Sequence, residues 1–186
     1  MIEKLFYIDI VLFQFINNTL SNPIFDYIMP LFHHKIIFIP LVLIPWIILI
    51  YFDKKNKWQL FLLIIFVIIL CDQTGLFFKK YFLRPRPWIY FDQDQINLLV
   101  LKKGENYSFP SNHAANITGI SIILSNIYTK YKNVFIFFLL IIIFSRVYIG
   151  VHYPSDIFFG IFIGTFYSMV LIKIWNYIKN ITIFNQ

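Results

Sequence analysis

Of the 186 residues, 59% are hydrophobic, 21% aromatic and only 13% charged. A soluble domain averages about 25% charged residues, so the composition excludes an ordinary water-soluble protein and points to the bilayer. The formal net charge of +7 does not indicate nucleic acid, because the basic residues are scattered between apolar runs. No recognition helix or basic stripe with stacking aromatics is present. The single cysteine, Cys71, excludes an internal disulfide and reads as a small packing residue in an apolar run. Without a linker, repeat or long charge run, residues 1–186 read as one integral membrane domain.

In chain order, Leu5–Ile16 is apolar but interrupted by Asp9 and Gln14. It is short for a standard span, so residues 1–32 are predicted to form an interfacial helix, in preference to a re-entrant helix or a short sixth span. Lys4 is the only basic residue before this stretch and no small-residue cleavage site follows, so no signal peptide is expected. Ser21-Asn22-Pro23 predicts a turn and a helix start. A membrane helix needs about 20 mostly apolar residues, and candidate spans follow at about Lys35–Phe52, Trp58–Phe78, Ala114–Tyr128, Val134–Phe144 with its flanks, and Ile157–Trp175. Pro40 and Pro45 are tolerable kinks. Gly160 and Gly164 suit a close helix contact. The expectation is an all-α polytopic bundle of five or six spans.

Three polar clusters interrupt this apolar chain: Lys79…Arg86-Pro87, Pro110-Ser111-Asn112-His113, and Ser145-Arg146…His152…Asp156. Ionisable residues within membrane spans read as functional by default. With alternating spans, all three clusters fall on one side of the membrane. The opposite side carries Lys54, Lys55, Lys57, Lys130 and Lys132, with Lys173 and Lys179 in the tail. The positive-inside rule places those lysines in the cytoplasm, once the cluster cations are set aside as chemical. The site is therefore expected to face outward, to the periplasm or cell exterior.

Cleaving a phosphate monoester through a covalent intermediate needs a nucleophile, a proton for the leaving oxygen and positive charge around the phosphoryl oxygens. His152 and Asp156 are four residues apart, and Pro154 suits the first turn of a helix. Asp156 can then hold one imidazole nitrogen while the other attacks phosphorus. His113 is the candidate general acid, later activating water. Lys79, Arg86 and Arg146 would hold the phosphoryl oxygens, and arginine forks bind phosphate bidentately. Ser111 would add its hydroxyl, and Asn112 and His113 open a helix whose free N–H groups favour an anion.

These clusters resemble the motifs of the type 2 phosphatidic acid phosphatase family, which shares its active site with the vanadium haloperoxidases. The first motif, Lys-x6-Arg-Pro, matches Lys79, Arg86 and Pro87; the third, Ser-Arg-x5-His-x3-Asp, matches Ser145, Arg146, His152 and Asp156. The second, Pro-Ser-Gly-His, departs at Asn112, which adds a side chain beside the phosphate. The motifs span residues 79–156. The resemblance implies a metal-independent, cofactor-free reaction through a phosphohistidine, with His152 as nucleophile and His113 as acid. It also implies a bacterial inner-membrane lipid phosphatase. Lipid A 1-phosphate and undecaprenyl pyrophosphate are favoured as substrates, and phosphatidylglycerol phosphate and phosphatidic acid remain open. Nothing in the sequence sets an oligomeric state.

Blander readings fit the remaining polar residues. Lys80, Arg84, Lys102 and Lys103 read as snorkelling cations, and His33 and His34 as interfacial. Trp46, Trp58, Trp88 and Trp175 read as interface anchors. Asp72 reads as a structural bond to a neighbouring helix, or as support behind the site. The Trp88–Phe109 loop either covers the site or is an ordinary interfacial loop. Two rival functions are a small transporter, which calls for a midplane site and paired broken helices, and a non-catalytic lipid-phosphate binder. The binder has no need of two histidines and a carboxylate at these spacings.

Overall fold

The structure is a computed structural model that describes residues 2–100 and 105–184. Every regular element among them is helical, which agrees with the all-α expectation. Helix α1 (Ile2–Gln14) runs on through a π-turn at Phe15–Thr19. The predicted turn follows, where the Asn22 side chain caps α2 (Pro23–Ile28) by accepting from the Phe25 N–H at 3.0 Å. A 3₁₀ turn at Met29–Phe32 leads into α3 (Lys35–Phe52), which contains both prolines. Then come α4 (Lys57–Phe82), the single turn α5 (Pro87–Tyr90), α6 (Asn112–Ile127), α7 (Lys132–Tyr148) and α8 (Pro154–Phe184).

Helix α6 is the axis of the bundle, packed by α4, α7 and α8. Its small residues allow the approach. A Cβ on Gly160 would lie 2.6 Å from the Ser111 carbonyl oxygen, and one on Gly164 would collide with the Ala115 carbonyl. Gly160 and Gly164 thus bring α8 against the start of α6, which is where one motif meets another. Leu60, Val67, Cys71 and Ile123 fill the core among these helices. A second core of Phe13, Trp88, Tyr148, Val151 and Tyr153 underlies the site.

Among the described residues, three helices are long and apolar enough to cross a bilayer: Lys57–Phe82, Thr129–Tyr148 and Pro154–Ile181. A fourth span arises if Pro23–Phe32 and Ile36–Phe52, bent by 60°, count as one. The expected five or six are not reached on this criterion. Helix α1 has 13 residues and α6 has 16, short of the roughly 20 that cross the hydrocarbon core. Because α6 is sheathed by other helices and not by lipid, it can keep Asn116, Thr118 and Ser121 along its length.

Helix α1 is two-sided. Phe6, Tyr7, Ile8, Val11 and Leu12 are exposed, whereas Asp9 and Phe13 are buried. Asn17, buried in the π-turn, donates to the Asn97 and Tyr148 carbonyls at 2.9 and 2.7 Å and accepts from the Asn97 N–H at 2.8 Å. The 88–109 loop is therefore tied down on the N-terminal segment at Asn97. Its Lys102 and Lys103 lie outside the described residues.

Candidate active site

Each cluster residue is placed by a helix end. Lys79 sits in the last turn of α4, where a cation complements the helix dipole. Leu83 then adopts a left-handed conformation (φ 48°) that turns the chain sharply. The following segment is pinned by 106–108: the Arg86 N–H donates to the Asn106 carbonyl at 3.1 Å, and Ser108 N–H to the Arg84 carbonyl at 2.9 Å. Asn112 and His113 open α6, with Ser111 as its N-cap. Arg146 closes α7, and Asp156 lies in the first turn of α8.

One cavity of about 1220 Å³ is lined by Lys79, Arg86, Asn112, His113, Arg146 and His152. The three clusters converge, as their topology predicts. Ser111 and Asp156 stand behind this lining, both fully buried, with the Ser111 N–H donating to the Asp156 carbonyl at 3.1 Å. The Ser111 hydroxyl accepts weakly from the Ala114 N–H at 3.4 Å.

The His152–Asp156 pair has the predicted form. Asp156 Oδ2 lies 3.3 Å from His152 Nδ1 and also accepts the Tyr153 N–H at 2.9 Å. A carboxylate beside Nδ1 fixes the proton there and leaves the Nε2 lone pair outward. Arg86 Nη1 is 3.4 Å from that Nε2 and donates to the Val151 carbonyl at 3.0 Å. Burial holds the His152 imidazole well below its ordinary pKa of 6.5, and the charges of Arg86, Lys79 and Arg146 push the same way. The ring is therefore neutral at physiological pH, as a nucleophile requires.

Positive charge dominates the rest of the cavity. Arg146 is 1% exposed; its Nη2 donates to the Phe32 carbonyl and its Nη1 lies 3.1 Å from His33 Nδ1. The Nε–H groups of both Arg86 and Arg146 are buried without a partner among the described residues. Unpaired buried donors are costly, and two of them beside a neutral imidazole suit a tetrahedral oxyanion. Lys79 reaches Glu105 at 3.8 Å, a carboxylate 65% exposed that adds little neutralisation.

Arg84, His33 and Trp88 depart from their blander sequence readings, and Asp9, to which the sequence reading gives no role, joins them. Arg84 does not snorkel. It turns inward to Asp156 Oδ1 at 2.7 Å, Asp9 Oδ2 at 2.5 Å and Ser155 Oγ at 2.7 Å, with its guanidinium 4.0 Å from the Tyr153 ring centre. A buried carboxylate on each side makes the inward position the favourable one. Asp9, on α1, also accepts the Ser155 N–H at 2.8 Å and hydroxyl at 2.6 Å. His33 lines the cavity beside Arg146, at the bend before α3. Trp88 is buried under Arg86, 4.9 Å from the guanidinium, and does not anchor to the interface. For Asp9 a signal was available: Asp9, Phe13 and Asn17 recur at four-residue spacing on one face.

Asp72 bonds to a neighbouring helix, as its structural reading expects, and it also lines the cavity. Asn112 and Asn116 both donate to its Oδ1 at 3.0 Å. The side chain of Asn112 is thereby turned down α4 toward Asp72 and away from the cations. Gly75 makes the room, since a Cβ there would collide with the Asn112 amide.

Comparison with known proteins agrees with this fold. The PAP2 superfamily profile matches residues 56–180. The chain is 32% identical over 176 residues to a lipid A 4′-phosphatase of Bacteroides thetaiotaomicron, covering 89% of this chain and 76% of that one. It is 28% identical over 169 residues to a lipid A 4′-phosphatase of Porphyromonas gingivalis, covering 88% and 71%. The crystal structure of Aquifex aeolicus LpxE superposes with a TM-score of 0.72 at 29% identity, covering 88% of this chain and 94% of that one. A Bacillus subtilis phosphatidylglycerolphosphate phosphatase shares the fold, with a TM-score of 0.70 at 20% identity over 94% and 88%. With motifs, fold and profile in agreement, the chain belongs to the PAP2 superfamily, as a multi-pass membrane protein.

Proposed function

We propose that this membrane lipid phosphatase removes the 4′-phosphate of lipid A through a phosphohistidine on His152. The observation that carries the chemistry is the neutral, Asp156-held His152 facing two buried arginines whose Nε–H groups have no partner among the described residues. His152 Nε2 attacks phosphorus as the bond to the sugar oxygen breaks, and that oxygen leaves with its electron pair and takes a proton from His113, which the negative charge of the bound phosphate keeps protonated against the burial and neighbouring cations that lower its pKa. Water then attacks phosphorus, giving its proton to His113, and the N–P electron pair returns to Nε2. Lys79, Arg86 and Arg146 hold the equatorial oxygens throughout, where preorganised donors contribute most. The Ser111 hydroxyl and the first backbone N–H groups of α6, at Asn112 and His113, complete the cradle.

The two named relatives point to the 4′-phosphate, where the sequence favoured the 1-phosphate or undecaprenyl pyrophosphate. The positive-inside reading supports an outward-facing site at the bacterial inner membrane. The test is phosphate release by purified protein from lipid A, undecaprenyl pyrophosphate and phosphatidic acid, with excess chelator. We expect release from lipid A at the 4′ position. His152→Ala should lose more than about a thousandfold, as nucleophile removal does elsewhere. Wild-type protein inert toward lipid A would overturn the substrate assignment, and an active His152→Ala would overturn the mechanism.

A further inference from the structure

On the proposed mechanism the leaving group departs toward His113, so the body of the lipid lies in the cavity past that residue. The cavity is also lined by Phe38, Val42, Ile68 and Ile120, which suit acyl chains, and by Asp72, Asn112 and Asn116, which do not. Asp72 lies seven residues before Lys79 on α4, which places it about 10 Å further along the helix axis. A carboxylate at that depth is expensive unless it is used.

The hydrogen bonding of this trio is lopsided. A carboxylate only accepts, so both amide NH₂ groups face Asp72 and both donate to Oδ1. No hydrogen bond reaches Oδ2 among the described residues. The carbonyl oxygens Asn112 Oδ1 and Asn116 Oδ1 are buried without a partner among the described residues. The trio therefore presents acceptor oxygens without matching donors, in a cavity whose other end is cationic. A bound phosphate satisfies the cationic end; only a group carrying O–H or N–H satisfies this one.

We propose that Asp72, Asn112 and Asn116 form a second subsite that binds hydroxyl or amide N–H groups of the lipid next to its phosphate. Resting on the functional reading above, this subsite sets the substrate class as an acylated sugar phosphate. An acylated amino-sugar offers hydroxyl and amide donors within reach of the departing oxygen. A polyprenyl chain offers none, and leaves the subsite unsatisfied. The substitution of Asn112 for the family's usual glycine, with Gly75 opposite, then supplies part of the specificity.

The test compares Asp72→Asn with wild type in phospholipid nanodiscs, reading KM for lipid A and Ki for inorganic phosphate, which fills only the cationic end. Asp72→Asn keeps the volume and removes the charge. We expect KM to rise about tenfold, the equivalent of one charge-assisted hydrogen bond, while Ki stays within about twofold. Asn116→Ala, which leaves the carboxylate in place, should give a smaller shift of the same kind. Equal shifts in KM and Ki would make Asp72 a support for the cradle, and no shift in either would remove it from binding; each overturns the subsite. Absence of lipid A turnover by wild type is a different result, overturning the functional reading first.

Discussion

At the residue scale, the site depends on how Asp156 is held. Its Oδ2 orients His152, and its Oδ1 is bound by Arg84, which Asp9 and Ser155 hold in turn. Arg84→Ala would leave two carboxylates buried without a counter-charge, a defect that costs about 3–5 kcal/mol. We expect a lower midpoint in thermal unfolding, and a reduced kcat as His152 loses its fixed orientation. The depressed pKa of His152 sets a pH dependence with a definite sign. On the proposed mechanism its neutral form is the reactive one, so the acidic limb of kcat/KM should lie below pH 6.5 and not at it. The same group disfavours folding in acid: as pH falls through 6.5 the unfolded chain takes up a proton that the buried ring refuses. Stability lost in that range should be recovered in His152→Gln, measured by thermal unfolding at pH 7 and pH 5.

At the scale of elements, helix ends do the positioning and small residues allow them to meet. Gly160→Ala would drive a methyl group into the Ser111 carbonyl, 2.6 Å from the new Cβ. Because the obstacle is backbone, α8 must move off α6, and overpacking of this kind costs about 1–3 kcal/mol. Activity should fall with it, since Ser111 and Asp156 are joined across that contact. At the far end of the bundle, Asp53 ties the α3–α4 turn to α6. It accepts from the Tyr128 hydroxyl at 2.7 Å and from Asn56 N–H and Nδ2 at 3.0 and 2.8 Å. These bonds, Tyr128 first, hold the Asp53 carboxyl below its usual pKa. A depressed acid stabilises the fold above its unfolded pKa, and that contribution is lost as pH falls through its folded value. Tyr128→Phe should therefore lower the melting temperature at pH 7 and make little difference near pH 2.

At the scale of the whole molecule, the motif residues were legible in the sequence because spacing and span alternation constrain them together. The all-α class followed from composition. What was not legible has a common physical cause. Arg84, Asp9 and His33 belong to no spaced motif, and each gains its partner only when a distant segment folds back: α1 onto α8, and the bend before α3 onto α7. The pairing of Asp9 with Ser155 crosses 146 residues of sequence. Helix α6 was read as a candidate span because apolar residues dominate it, yet its surroundings are protein on several sides. Span counting by apolar length cannot register that difference.

Helix α1 carries its exposed aromatic and aliphatic side chains on one face and Asp9 on the other. We propose that this face rests on the bilayer surface, as the sequence reading of residues 1–32 expects, so that the medium around the protein presses on the residue that braces Arg84. Detergent choice thereby becomes a kinetic variable. Micelles that pull α1 outward should depress turnover without unfolding the bundle, and reconstitution into a flat phospholipid bilayer should restore it. Specific activities of one preparation compared in short-chain detergent and in nanodiscs, alongside Asp9→Asn in both, will measure this. The variant, its brace already slack, should respond less to the change of medium than the wild type.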